Sequence, residues 1–213
     1  MTTDNSIAAE KTNSPDQKSI GNMTIANAKG IYKQFGTDLR IDIVSIVKLI
    51  RGSGIKLPLS NSNYLHALSY TDLMLAHTEN EFRMLTGCAG GGFLECLLDR
   101  FDDMLQRLKT NGGKARIILV NSESRGPLDA LKAKYPESLD FAEATASEDN
   151  KIRHFIVSDN DMVRDEEPHQ KLNDLQSAEV IQAKVYFKNE SKAAAMSQEF
   201  DAIWRHLRGT SNT

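Results

Sequence analysis

The chain is poor in the residues that would settle its class at once. It holds 2 cysteines, Cys88 and Cys96, too few for a disulfide framework or a cysteine-rich metal site. A reducing compartment is therefore expected. No apolar run approaches the ~20 residues a bilayer-crossing helix needs. The opening residues Met1-Thr-Thr-Asp-Asn-Ser6 lack the basic-then-apolar pattern of a secretory leader. A soluble, cytoplasmic protein follows as the expectation. There is no excess of positive charge either. Lys and Arg total 26 against 29 Asp and Glu, a formal net charge of -3. That excludes a global pull on nucleic acid or an anionic membrane, so phosphate binding would need a local patch.

What is present is ordinary globular material, 40% hydrophobic and 26% charged over 213 residues. That length suits one domain with an extension. Residues 1–20, rich in Thr, Ser, Asn, Asp and Lys, read as a disordered tail. Residues 21–59 read as a helical N-terminal extension. Its strongest part is Leu39, Ile43, Ile46, Val47 and Ile50 at near-helical spacing, stopped at Arg51-Gly-Ser-Gly54. This unit is a candidate surface for a protein partner. Residues 60–209 read as an α/β domain, and 210–213 as a tail.

Within that domain Asn61 or Ser62 is the expected cap of a helix running to about His77. Phe82–Thr86 reads as a short strand and Gly87-Cys-Ala-Gly-Gly-Gly92 as a turn. Phe93 to Leu108 is the clearest helix, with Leu94, Leu97, Leu98, Phe101, Met104, Leu105 and Leu108 recurring at i, i+3, i+4 and i+7. Asn111-Gly-Gly113 closes it. Ala115–Val120 reads as a strand buried on both faces, Leu128–Tyr135 as a helix stopped by Pro136, and Leu139–Ala144 as a strand. Lys151-Ile-Arg-His-Phe-Ile-Val-Ser158 is an apolar strand carrying one histidine and entering an acidic turn at Asp159-Asn-Asp161. It continues over 162–165, and 166–178 is expected as a polar loop. Val180–Phe187 alternates as a strand. The last helix, 191–207, has Ser191 at its cap and Met196, Phe200, Ile203, Trp204 and Leu207 on one face. Helices alternating with strands argue for a layered α/β fold with a mixed sheet.

From about Tyr64 to Leu207 this order resembles one half of a phospholipase D-like domain. The 151–161 strand is similar to the one carrying that superfamily's His-x-Lys-x4-Asp motif. Two registers fit. With Asp159 as the motif acid, His154 stands at the lysine position and Ile152 at the nucleophile position. With His154 as nucleophile, Ile156 replaces the lysine and Asp161 is the acid. Strand logic favours the first, because Asp159 directly follows the apolar run. The Gly-Ser-x-Asn tail is also replaced, by Arg164-Asp-Glu-Glu167. The family needs two motif copies, so the resemblance implies a homodimer, yet a dimer would not restore the lysine. A degenerate motif and a binding or regulatory role for a phosphate-bearing ligand or nucleic acid are expected. The competing readings are a phosphodiesterase or nuclease acting as a homodimer through His154, and a structural interaction module using residues 21–59.

Each candidate residue has a plainer reading beside it. His154 is a nucleophile or general base, or a strand histidine satisfied by a backbone or carboxylate partner. Arg153, Arg164 and His169 can join it in a phosphate patch, or Arg164 pairs with Glu166 or Glu167. Gly87, Gly90 and Gly91 lie in a turn whose N–H groups can cradle an anion, or that needs positive φ. Asp159, Asp161, Asp165, Glu166, Glu167 and His169 form an acidic cluster. It lacks the glycine and distal glutamate of a calcium loop, so a solvated turn is preferred. No metal and no cofactor is expected.

Overall fold

The computed structural model describes residues 43–50, 52–53, 58–61, 64–87, 93–121, 125–147, 152–169 and 182–210. The first helix, α1, spans 43–50 and buries Ile43, Val47 and Ile50 while Ile46 and Leu49 face outward. The remaining elements are β1 (Leu59–Asn61), α2 (Tyr64–His77), β2 (Glu81–Gly87), α3 (Phe93–Asn111), β3 (Lys114–Val120) and α4 (Gly126–Lys134). They continue with β4 (Leu139–Ala144), β5 (Ile152–Ser158), β6 (Met162–His169), β7 (Ala183–Tyr186) and α5 (Glu190–Thr210).

Among the described residues the strands form one mixed sheet in the order β1-β7-β6-β5-β2-β3-β4. β2, β3 and β4 run parallel, and β5, β6, β7 and β1 continue from β2 as antiparallel neighbours. Alternation along the strands sorts the core into two layers. Phe82, Met84, Ile117, Leu119, Ile156 and Met162 pack beneath α1, α2, α3 and α4. Leu85, Ile118, Val120, Phe155, Val157 and Val163 pack against Ala193, Met196 and Phe200 of α5. The α5 stripe read from the sequence is the one it buries.

Several boundaries differ from the sequence reading. Asn61 ends strand β1, paired with Ala183, and Ser62, the other expected cap of α2, lies outside the described residues. Three isolated residues with no alternation carry no strand signal of their own, and only the β7 edge makes them one. The Asn189 side chain accepts the Lys192 N–H at 3.1 Å, and its carbonyl accepts that of Ala193, so Asn189 and not Ser191 caps α5. Strand β6 runs on through Glu166–His169, where a polar loop was expected. Pairing with β5 holds these polar residues in the sheet. The rest of that loop, 170–178, lies outside the described residues, as do 179–181, where the strand expected over Val180–Phe187 begins, and 1–42. Gly112 ends α3 with φ of 72°, the left-handed conformation expected of the Asn111-Gly-Gly113 closure.

Candidate functional site

Three parallel strands end together, at Gly87, Val120 and Ala144. Antiparallel β5 begins at the same rim, with Phe155 opposite Leu85. Open α/β sheets bind ligands at the carboxyl ends of their parallel strands, and His154 stands at that end. Its side chain shares a face with Thr86, Arg164 and Glu166, the α2 and α3 side of the sheet.

A β-bulge builds the rest of the site. Ile152 pairs with His169 and His154 with Glu166, so Arg153 alone faces both Glu167 and Pro168. Proline, having no N–H to offer the ladder, belongs at such an irregularity. Strict alternation would place His169 on the α5 side with Val163 and Asp165. The extra residue turns it to the opposite face, a recurring use of bulges beside functional sites. There His169 stacks on His154, ring centroids 4.6 Å apart and planes 4° from parallel. Its Nε2 lies 2.7 Å from Glu166 Oε1. The other Glu166 oxygen accepts from Arg164 Nη2. Both members of that pair are buried, each 5% exposed. Among the described residues Arg164 Nε has no hydrogen-bond partner.

His154 is satisfied from the backbone. The Gly87 N–H donates to its Nδ1 at 3.2 Å, and Thr86 Oγ1 lies 3.5 Å from the same atom. A ring nitrogen that accepts an N–H carries no proton, so the neutral ring has its proton on Nε2. Burial pushes the His154 imidazole down to about 4, with His169 and Arg164 adding to the fall and Glu166 opposing it. Burial alone would raise the Glu166 carboxyl. The Arg164 charge and the His169 hydrogen bond outweigh it and hold the group at about 2. At neutral pH the site thus contains a neutral His154 and a compensated Arg164–Glu166 pair.

The structure therefore brings together Gly87, His154, Arg164, Glu166 and His169. It sets two other candidates apart. Arg153 points to the α5 face, where its guanidinium is held by Asp165 at 3.0 Å and by Glu199 at 2.9 Å. Asp159 lies at the opposite end of β5, where its carboxylate accepts the N–H groups of Glu79, Asn80 and Glu81 at 2.5, 2.7 and 2.9 Å. The acidic cluster read along the sequence is thus divided between the two ends of the β5–β6 pair. Gly90 and Gly91 lie outside the described residues. Thr86 was not singled out from the sequence, and only its place before Gly87 on a strand end marks it. A cavity of about 550 Å³ that Arg153 and Glu166 help line is also lined by Ser60 and Lys184, at the β1–β7 edge.

Among the described residues the fold is a layered α/β one, a mixed seven-stranded sheet flanked by helices. No protein-family model matches the sequence, and no curated protein matches it. Among solved structures, the chain resembles TrmBL2, an archaeal chromatin protein whose structure shows a novel mode of DNA binding. That likeness has a TM-score of 0.50 at 18% identity and covers 85% of this chain and 66% of that one. Nuc from Salmonella typhimurium, a phospholipase D family member, aligns at a TM-score of 0.44 and 14% identity, over 70% of this chain and 95% of its own. NucT from Helicobacter pylori aligns at 0.47 and 6%, over 71% and 97%. At 18% identity the likeness to TrmBL2 is one of fold alone. No helix among the described residues is long and apolar enough to cross a membrane.

Proposed function

We propose that this chain is a non-catalytic phospholipase D-like module with a binding or regulatory role, and that its ligand is a phosphate-bearing molecule or nucleic acid. The observation that carries the first part is the Gly87 N–H donated to His154 Nδ1. It leaves the proton on Nε2, so that nitrogen has no lone pair with which to attack phosphorus. No lysine stands beside His154 on β5 to hold a phosphoryl oxygen, since Ile156 takes the corresponding place along the strand. The Arg164–Glu166 pair adds no net charge with which to stabilise a pentavalent centre.

Binding is supported by placement. His154 stands at the rim where β2, β3 and β4 end, beside Gly87. Arg164 Nε is a buried donor without a partner among the described residues, and a ligand oxygen would satisfy it. The archaeal chromatin protein of like fold is described as DNA-binding, which makes nucleic acid the first ligand to try.

The test has two arms. Hydrolysis of bis-p-nitrophenyl phosphate and of single-stranded DNA is measured for the wild type and His154→Ala. Equal rates at background are expected, and a wild-type rate that vanishes in the variant would overturn the non-catalytic reading. Oligonucleotide binding is then titrated at two salt concentrations. Affinity that falls with salt supports a phosphate-contacting surface, and no binding at either salt removes nucleic acid as the ligand.

A further inference from the structure

We infer that Glu166, His169 and His154 form a binding site for one divalent transition-metal ion of the zinc, cobalt or nickel type. Two imidazoles and one carboxylate are the ligand set such ions take. Their ligand atoms lie within 4.8 Å of one another. The set is assembled by the β6 bulge, without which His169 would face α5. Glu166 is buried and ionised, and Arg164 holds one of its oxygens. An outer partner of that sort orients a metal-binding carboxylate and leaves the other oxygen to the ion. Hard cations such as magnesium or calcium are not served by two imidazoles.

The contacts among the three side chains say how the ion enters. The hydrogen bond between Glu166 Oε1 and His169 Nε2 joins two prospective ligands at 2.7 Å, and an ion bound to both takes the place of the proton between them, which is released. His154 cannot ligate while stacked. A nitrogen lone pair lies in its ring plane, and two parallel planes share no position for an ion. The His154 ring must therefore tilt out of the stack and move its proton to Nδ1, facing Thr86 Oγ1 instead of the Gly87 N–H. Metal binding is thereby tied to the Gly87 peptide, at the start of the glycine-rich segment. Arg164 repels the ion, which places this site below structural zinc centres in affinity.

The experiment titrates the full-length, chelator-treated protein with Co²⁺, reading the visible d–d absorption together with the Gly87 amide resonance. One Co²⁺ per chain, a coordination band and a displaced Gly87 amide are expected. His169→Ala and His154→Ala should each weaken binding by about tenfold or more, while His206→Ala on α5 should not. Glu166→Gln leaves Arg164 buried without its counter-charge and can fail to fold. The two histidine variants, at the half-buried rim, carry the test in that case. Absence of saturable binding, unchanged affinity in His169→Ala, or loss that follows His206 would each overturn the assignment. A phosphodiesterase result of either sign leaves this readout untouched.

Discussion

The imidazole rings of His154 and His169 lie 4.6 Å apart and within 4° of parallel, with the Glu166 carboxylate joined to the second ring and Arg164 behind it. A proton added to His154 enters a buried position already beside Arg164. The folded value is therefore pushed from 6.5 down to about 4. The unfolded chain takes up this proton first, so stability is full above about pH 6.5 and falls as the pH drops toward 4. Glu166 acts in the same direction in a lower window. Its folded value of about 2 lies below 4.5, so its contribution is present above pH 4.5 and lost as the pH falls through 2. Urea unfolding at a series of pH values from 7.5 to 4.5 should show a loss on the order of 2 to 3 kcal/mol attributable to His154. His154→Asn should flatten that part of the profile. Parallel curves for the two proteins would show that the histidine is not the sensing group.

Arg164 and Glu166 are a buried ion pair, and a buried pair is far more costly to break than to replace. Glu166→Gln leaves a buried guanidinium without its carboxylate and should destabilise by about 3 to 5 kcal/mol. The double variant Arg164→Met with Glu166→Leu removes both charges and should recover most of that loss. Chemical unfolding of the two variants beside the wild type reads the coupling directly. Additive losses would mean that the pair is not energetically linked.

The long amphipathic helix α3 and the doubly buried strand β3 were legible because their periodicity needs no partner to interpret. So were α5 and β5, through the stripe ending at Leu207 and the apolar run ending at Ser158. The site was legible only in part. His154, Arg164, Glu166 and His169 were all marked as candidates, but their grouping depends on the bulge at Glu167–Pro168. No alternation pattern could reveal it, because strand periodicity assigns His169 to the other face. Arg153 failed for the converse reason, since its neighbour in sequence is His154 but its neighbours in space are Asp165 and Glu199. β1 was invisible because three residues acquire strand character only from the β7 edge.

Two adjacent glycines after α3 should respond differently to alanine. Gly112 has φ of 72° and open space where a methyl group would stand, with nothing within 4 Å. A methyl group on Gly113 would instead collide with the Asn80 carbonyl oxygen and come to 2.9 Å from Leu108 Cδ2. Gly112→Ala meets only the left-handed backbone penalty, about 1 kcal/mol. Gly113→Ala must push the α2–β2 connection away from β3 and should cost more than twice that, roughly 2 to 3 kcal/mol. Thermal or urea unfolding of the two variants decides the order, and a larger loss at Gly112 would contradict the close approach at Asn80.

Asp159 offers the sharpest test of how the β5 turn is used. Its carboxylate accepts three backbone N–H groups from the α2–β2 connection, and the adjacent Ser158 hydroxyl bonds Thr78 at 2.7 Å in a buried setting. Asp159 also sits at φ of 46°, a left-handed conformation that Asp tolerates better than most residues. Asp159→Ala should therefore cost about 2 kcal/mol, since hydrogen bonds to a charged acceptor contribute more than neutral ones but water can reach Glu79 and Asn80 in its absence. Asp159→Asn keeps an acceptor and the turn conformation and should recover roughly half. Because the carboxylate stands at the far end of β5 from His154, neither variant should displace the Gly87 amide resonance. A shifted Gly87 signal, or an Asp159→Ala protein as stable as the wild type, would mean that this carboxylate serves the site rather than the frame.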